Sequence, residues 1–139
     1  IRRFIFSRLN EYLLHEWDIR NDPEALLEGP SVPVAAANLR QHCQLFYELS
    51  PVEGLSGVFA FKLTDTGLRW AMRAEGGKAV DLGIGVHQAD AAFAASSGDM
   101  LLLITGRLPV EEALAGGRFK IEGDEALARR LMPSLFFPL

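Results

Sequence analysis

The stretch Ala89-Asp-Ala-Ala-Phe-Ala-Ala-Ser-Ser-Gly-Asp-Met-Leu-Leu-Leu-Ile-Thr-Gly-Arg107 decides the fold. Ala89 to Ala95 reads as a strand. Ser96-Ser-Gly-Asp99 offers side-chain oxygens that cap a helix N-terminus. Met100 to Thr105 is then a short helix, and Gly106 ends it by taking the left-handed C-cap conformation.

Upstream lie further strands. Gly57-Val-Phe-Ala-Phe-Lys-Leu63, the turn Thr64-Asp-Thr-Gly67 and Leu68-Arg-Trp-Ala-Met-Arg73 make a hairpin. Gly76-Gly77 is a two-residue turn that introduces a strand over Lys78 to Leu82. Downstream, Pro109 starts a short helix, Val110 to Leu114, closed by Gly116-Gly117. Arg118 to Ile121 is a strand, and Asp124 caps a last helix over Glu125 to Met132. The apolar tail Leu135 to Leu139 either covers the core or lines a ligand cavity. A helix over Val34 to Leu49 precedes the sheet and is stopped by Ser50-Pro51. The order is helix, linker, helix, three or four antiparallel strands, two short helices, strand, helix. That predicts an α+β layer arrangement with helices on one side of a sheet.

The N-terminal run Arg2 to Ile19 reads as one amphipathic helix. Ile5, Leu9, Tyr12, Leu13 and Trp17 repeat at helical spacing, while Ser7, Arg8, Glu11, His15 and Asp18 collect on the other side. Phe4 and Leu14 flank that polar stripe. Glu11 and His15, four residues apart, share a face and could hold one divalent metal ion. Zinc normally takes three or four protein ligands, so two do not complete a site. Otherwise the pair is an ordinary helix-stabilising contact. The three prolines and the glycine between Asn21 and Pro33 mark a linker. The expected organisation is therefore a helix over 1–20, a linker over 21–33 and an α+β domain over 34–139.

Composition narrows the function. The chain has 139 residues, 49% hydrophobic and 23% charged, with a net charge of −4. That suits one soluble domain with its own core. Basic residues are scattered among acids, which argues against a nucleic-acid partner. No apolar run is long enough to span a membrane. The single cysteine, Cys43, reads as a buried core thiol and fits a reducing, cytoplasmic setting. The chain starts with Ile rather than Met, and a piece of a longer protein is expected.

Two motifs together carry a family resemblance. The Ala89–Arg107 segment, followed by Gly117-Arg-Phe-Lys-Ile-Glu-Gly-Asp124 and a helix, resembles the sterol-carrier-protein-like domain. That implies a mixed, mainly antiparallel five-stranded sheet covered by helices, often with an apolar cavity between the layers. Arg8-x-x-Glu11-x-x-x-His15-x-x-Asp18 resembles the helix joining the two halves of mycothiol-dependent maleylpyruvate isomerase-family proteins. These pair a DinB-like metal-binding bundle with a sterol-carrier-like domain.

The resemblance implies that residues 1–20 are the remnant of such a bundle. Glu11 and His15 would be two of three metal ligands, with the third outside this chain, and Arg8 and Asp18 would support them. It further implies a divalent metal, zinc by analogy, and a low-molecular-weight thiol such as mycothiol in the intact protein. Neither is expected in the isolated chain. Arg107 then has two readings, a substrate carboxylate contact or a cation at a helix C-terminus. The functions to weigh are a metal- and thiol-dependent isomerase or transferase, a carrier of a lipid or other apolar small molecule, and a structural domain. The apolar face of the first helix must be covered by this domain or by a second copy, and a homodimer through that helix is expected.

Overall fold

The structure, a computed structural model, describes residues 2–20, 22 and 26–136, with side chains from Arg8 onward. Its elements are α1 (Arg2–Arg20), α2 (Val32–Ala36), α3 (Leu39–Leu49), β1 (Ser56–Leu63), β2 (Arg69–Glu75), β3 (Lys78–Ile84) and β4 (Ala91–Ala95). These are followed by α4 (Ser97–Ile104), α5 (Val110–Ala115), β5 (Phe119–Gly123) and α6 (Glu125–Leu135). The strands form one sheet in the order β3-β2-β1-β4-β5.

Local chemistry sets the meander β1-β2-β3. Gly76 and Gly77 both take positive φ, 58° and 78°, as a type I′ hairpin turn requires. β4 does not continue the antiparallel pattern expected of it. It pairs parallel with β1, Phe59 opposite Ala91 and Phe61 opposite Phe93, and β5 returns antiparallel along its far side. The sheet is thus mixed, as the resemblance implied. Ser96 caps α4 by accepting from the Asp99 amide, and Asp65 in the β1–β2 turn accepts from both the Ser97 amide and hydroxyl. Asp124 caps α6 through the Leu127 amide.

Strand alternation gives the sheet two unlike faces. Phe59, Phe61, Trp70, Phe93 and Phe119 are all buried beneath the helices. Their rings pack in a row, with Phe61 5.2 Å from Trp70, 5.3 Å from Phe93, and Phe93 5.9 Å from Phe119. Phe136 packs edge-on against Phe93 and Phe119. With Leu135 fully buried, the described part of the apolar tail belongs to the core. Residues 137–139 lie outside the described residues. These rings pack in the space between the layers.

Two expectations about helices need correction. The helix expected over Val34 to Leu49 is two helices, because α2 packs on α4 while α3 packs on β3 and α6. A tight turn at Ala37-Asn38, with amides bonded back to Pro33 and Ala35, redirects the chain between those partners. In α1 the docked stripe is not centred on Tyr12, which is 74% exposed. Among its described side chains Asn10 and Leu14 are the buried ones, with Leu9, Leu13 and Trp17 half-buried beside them.

Candidate functional site

Where α1 crosses α3 and the end of α4, the helices leave a cleft of about 490 Å³. α1 turns Asn10, Glu11, Leu14 and His15 towards it. α3 supplies Leu39, His42, Leu45 and Phe46, and the α4 region supplies Leu101, Ile104, Thr105 and Arg107. Its volume lies within the roughly 300–1,000 Å³ of small-molecule sites. The walls are aliphatic and aromatic, and the polar groups gather at the α1 and α4 edges.

The structure therefore brings Glu11, His15 and Arg107 to the border of one cleft. Arg107 stands just past α4, beyond Gly106 at φ 73°, and it reaches back to α1. Its Nε and Nη2 each donate to an Asp18 carboxylate oxygen at 2.8 Å. This fork-to-fork pair ties α1 to the segment just past α4. The Arg107 guanidinium, with a smaller contribution from His15, holds the Asp18 carboxyl below its ordinary value of 3.8.

A carboxylate with a lowered folded pKa contributes stability that is full above the unfolded value and is lost as pH falls through the folded one. Release of α1 should accordingly begin as pH drops below about 3.8. Asp18→Asn should reproduce it at neutral pH. The emission of Trp17, half-buried against the core, should shift towards solvent values in both cases. An unshifted Asp18→Asn spectrum would show that α1 docks without this ion pair.

Two polar atoms in the cleft wall have no hydrogen-bond partner among the described residues. Arg107 Nη1 and Asn10 Oδ1 are buried and unbonded, and Asn10 is only 9% exposed. Leaving such a group unsatisfied costs about 1–3 kcal/mol. Thr105, by contrast, spends its hydroxyl on the Leu101 carbonyl at 2.7 Å. Burial lowers the His42 pKa, and its ring lies 5.7 Å from Phe46. The imidazole therefore stays neutral over a range where a free histidine is protonated, and it adds to the apolar wall.

Glu11 is exposed, and its Oε2 accepts from Arg8 Nη1 at 2.8 Å. His15 is exposed on the same face. Among the described residues no three histidine, cysteine, aspartate or glutamate side chains are grouped to hold a metal. The pair alone does not fit a zinc centre. His87 is far from it, bonded through Nε2 to the Gly83 carbonyl. Cys43 is fully buried with its thiol pushed up to about 12, an inert core residue. Asn10 escaped the sequence reading, and His42 carried no mark there of a ligand-binding role. Asn10 shares a helical stripe with Leu14, and a lone amide on such a stripe was the one available signal.

A five-stranded mixed sheet backed by helices on one face defines a two-layer α+β domain. The chain belongs to the SCP-2 sterol transfer family, whose profile matches residues 39–135. Bovine sterol carrier protein 2 is 31% identical over 84 residues, taking in 58% of this chain and 16% of the bovine protein. The chain thus spans about a sixth of that relative's length. Sterol carrier protein 2-like 2 from Aedes aegypti superimposes with a TM-score of 0.59 at 20% identity, over 73% of this chain and 97% of that one. Sterol carrier protein 2 of the same mosquito, solved in complex with the C16 fatty acid palmitate, gives 0.54 at 23% identity, over 78% and 99%. The match takes in α3 to α6. α1 and α2 lie outside it.

Proposed function

We propose that this chain binds an apolar small molecule bearing one oxygen-rich head, an acyl acid or alcohol, in the cleft between α1, α3 and α4. The carrying observation is the pair of unsatisfied buried atoms at the polar end of an otherwise apolar cleft. A head-group oxygen accepts from Arg107 Nη1. A hydroxyl or protonated acid also donates to Asn10 Oδ1, which removes both penalties at once. Leu39, Phe46, Leu101 and Ile104 face the chain of the ligand. Family membership supports the reading, as does palmitate in the mosquito relative.

Displacement of a fluorescent fatty acid from the purified protein tests it. Loss of one charge-assisted hydrogen bond should weaken binding by about 1.5–3 kcal/mol, roughly tenfold to a hundredfold. Arg107→Met should therefore lose carboxylate ligands by that amount, while a methyl ester of the same chain loses far less. Equal affinity of wild type and Arg107→Met for the free acid would remove the head-group assignment. No displaceable ligand in the wild type would remove the reading.

A second reading rests on Glu11, His15 and Arg107 bordering the same cleft although the first and last are far apart in sequence. In a longer protein, Glu11 and His15 would be two donors to a divalent metal, and Arg107 would take a substrate carboxylate. A metal- and thiol-dependent isomerase or transferase would result. This requires a third donor that the described residues do not provide, and metal analysis of the longer protein separates the two readings.

A further inference from the structure

The chain's charges are unevenly distributed over its two sides. Arg8, Arg20, Arg40, Arg107, Arg118 and Arg129 each pair with a carboxylate. The chain has three lysines, Lys62, Lys78 and Lys120. Strand register places all three on the helix-free face of the sheet, together with Arg69 and Arg73. None of these five pairs with an acid among the described residues. Only Glu75 and Glu122 share their strand faces. A protein of net charge −4 therefore carries a cationic sheet face.

The arrangement is ordered. Arg69 stands directly opposite Lys62, Lys62 opposite Ala94, and Ala94 opposite Lys120. One row across four strands thus holds three cations and no acid. Like charges directly opposite each other destabilise a sheet, so this row carries an internal cost that an anionic partner would relieve. The next row is small over Ala71, Ala60 and Ala92 and ends in Glu122 on β5, so the acid stands at the edge of the sheet face.

Strands lie about 4.8 Å apart, which spreads the cations over roughly 14 Å in a line. They do not converge on one point as ligands of a single phosphate would. Val86 borders the same concavity as Lys62, Arg69 and Lys120 and is 81% exposed. Val80, opposite Arg73 on this face, is 53% exposed. Spread cations flanked by protruding apolar side chains are what an anionic lipid–water interface recognises.

We propose that the helix-free sheet face docks on a bilayer carrying anionic headgroups, with Arg69, Lys62 and Lys120 on the headgroups and Val86 and Val80 at the acyl boundary. The assignment is independent of what fills the cleft on the other side. Vesicle flotation tests it on the 139-residue chain. Phosphatidylcholine vesicles containing phosphatidylglycerol should bind the chain at low salt and release it at high salt, while phosphatidylcholine alone should not bind it.

Each neutralised cation should weaken partitioning about fivefold, so Lys62→Gln with Lys120→Gln should lose roughly twenty-five-fold. Val86→Asp should weaken it separately. Arg130→Gln, on α6, should change nothing. Relief of the Lys62–Arg69 repulsion predicts that the double variant melts no lower than the parent, which keeps the comparison between folded proteins. Absence of binding to the anionic vesicles, equal binding to neutral ones, or an unaffected double variant would overturn the proposal. So would salt-sensitive self-association of the chain in place of vesicle binding.

Discussion

Phe93→Ala should cost this fold about 3–5 kcal/mol, the range for truncating a fully buried aromatic. For a domain of this size that is a melting temperature lower by about 10 °C or more. Phe93 has no exposed surface and sits on β4 between its registered neighbours Phe61 and Ile121. Its ring meets Phe59, Phe61, Phe119 and Phe136 at centroid distances of 6.5, 5.3, 5.9 and 6.0 Å. Removing it leaves a void bordered by four rigid rings, two on β1, one on β5 and one just past α6. Those rings cannot all move inward, so little of the void collapses. Urea unfolding of the variant measures the cost, and a loss under about 1 kcal/mol would mean that the row repacks.

Gly123→Ala should be the most damaging of the glycine replacements on the sheet. The residue has φ of 82°, where an L side chain costs about 1–2 kcal/mol. A Cβ there would also stand 2.5 Å from the Asp90 carbonyl oxygen and 3.3 Å from the Ala91 Cα. Those are backbone atoms at the start of β4, and the Asp90 carbonyl is held by the Asp124 amide. Asp90 in turn accepts from the Val58 amide through its side chain. One methyl group therefore strains the junction of β1, β4, β5 and α6. Gly117→Ala provides the comparison. Gly117 has φ of 72°, with nothing within 4 Å of the added atom. It should lose only the conformational part, and Gly123→Ala should lose clearly more by thermal melts. Equal losses would show that β5 shifts to admit the methyl.

The two glycine positions also show what could be read from the sequence. Gly76-Gly77, the Ser96 and Asp124 caps and the Gly106 stop were legible because each is specified within four residues. The α+β class followed from their order. The parallel seating of β4 on β1 was not legible from patterning, since Ala91 to Ala95 alternates identically in either direction. The resemblance supplied the mixed sheet instead. The break between α2 and α3 contains no proline or glycine, and it arises because the two halves pack on different partners. In α1 the apolar residues Tyr12 and Leu14 lie on different sides of the helix. The packing of α1 on α2 and the Arg107–Asp18 pair decide that Leu14 and Asn10 face inward. The cleft inherits that difficulty. Glu11, His15 and Arg107 could be singled out by type, while their common border and the roles of Asn10 and His42 depend on helix crossings that no local pattern encodes.

The central position of β1 has a consequence for how the chain is made. β2 follows β1 within a few residues and pairs with it through the turn at Thr64–Leu68, and β3 then pairs with β2 through Gly76-Gly77. The other side of β1 is closed only by β4, Phe59 waiting for Ala91. During synthesis, the meander therefore exists for a time with Ser56–Leu63 as an open edge, its phenylalanines bare on one face. Such an edge templates pairing with other chains, and long-range parallel closure is slow. The segment most exposed to aggregation in the newborn protein is thus the one most deeply enclosed in the finished one.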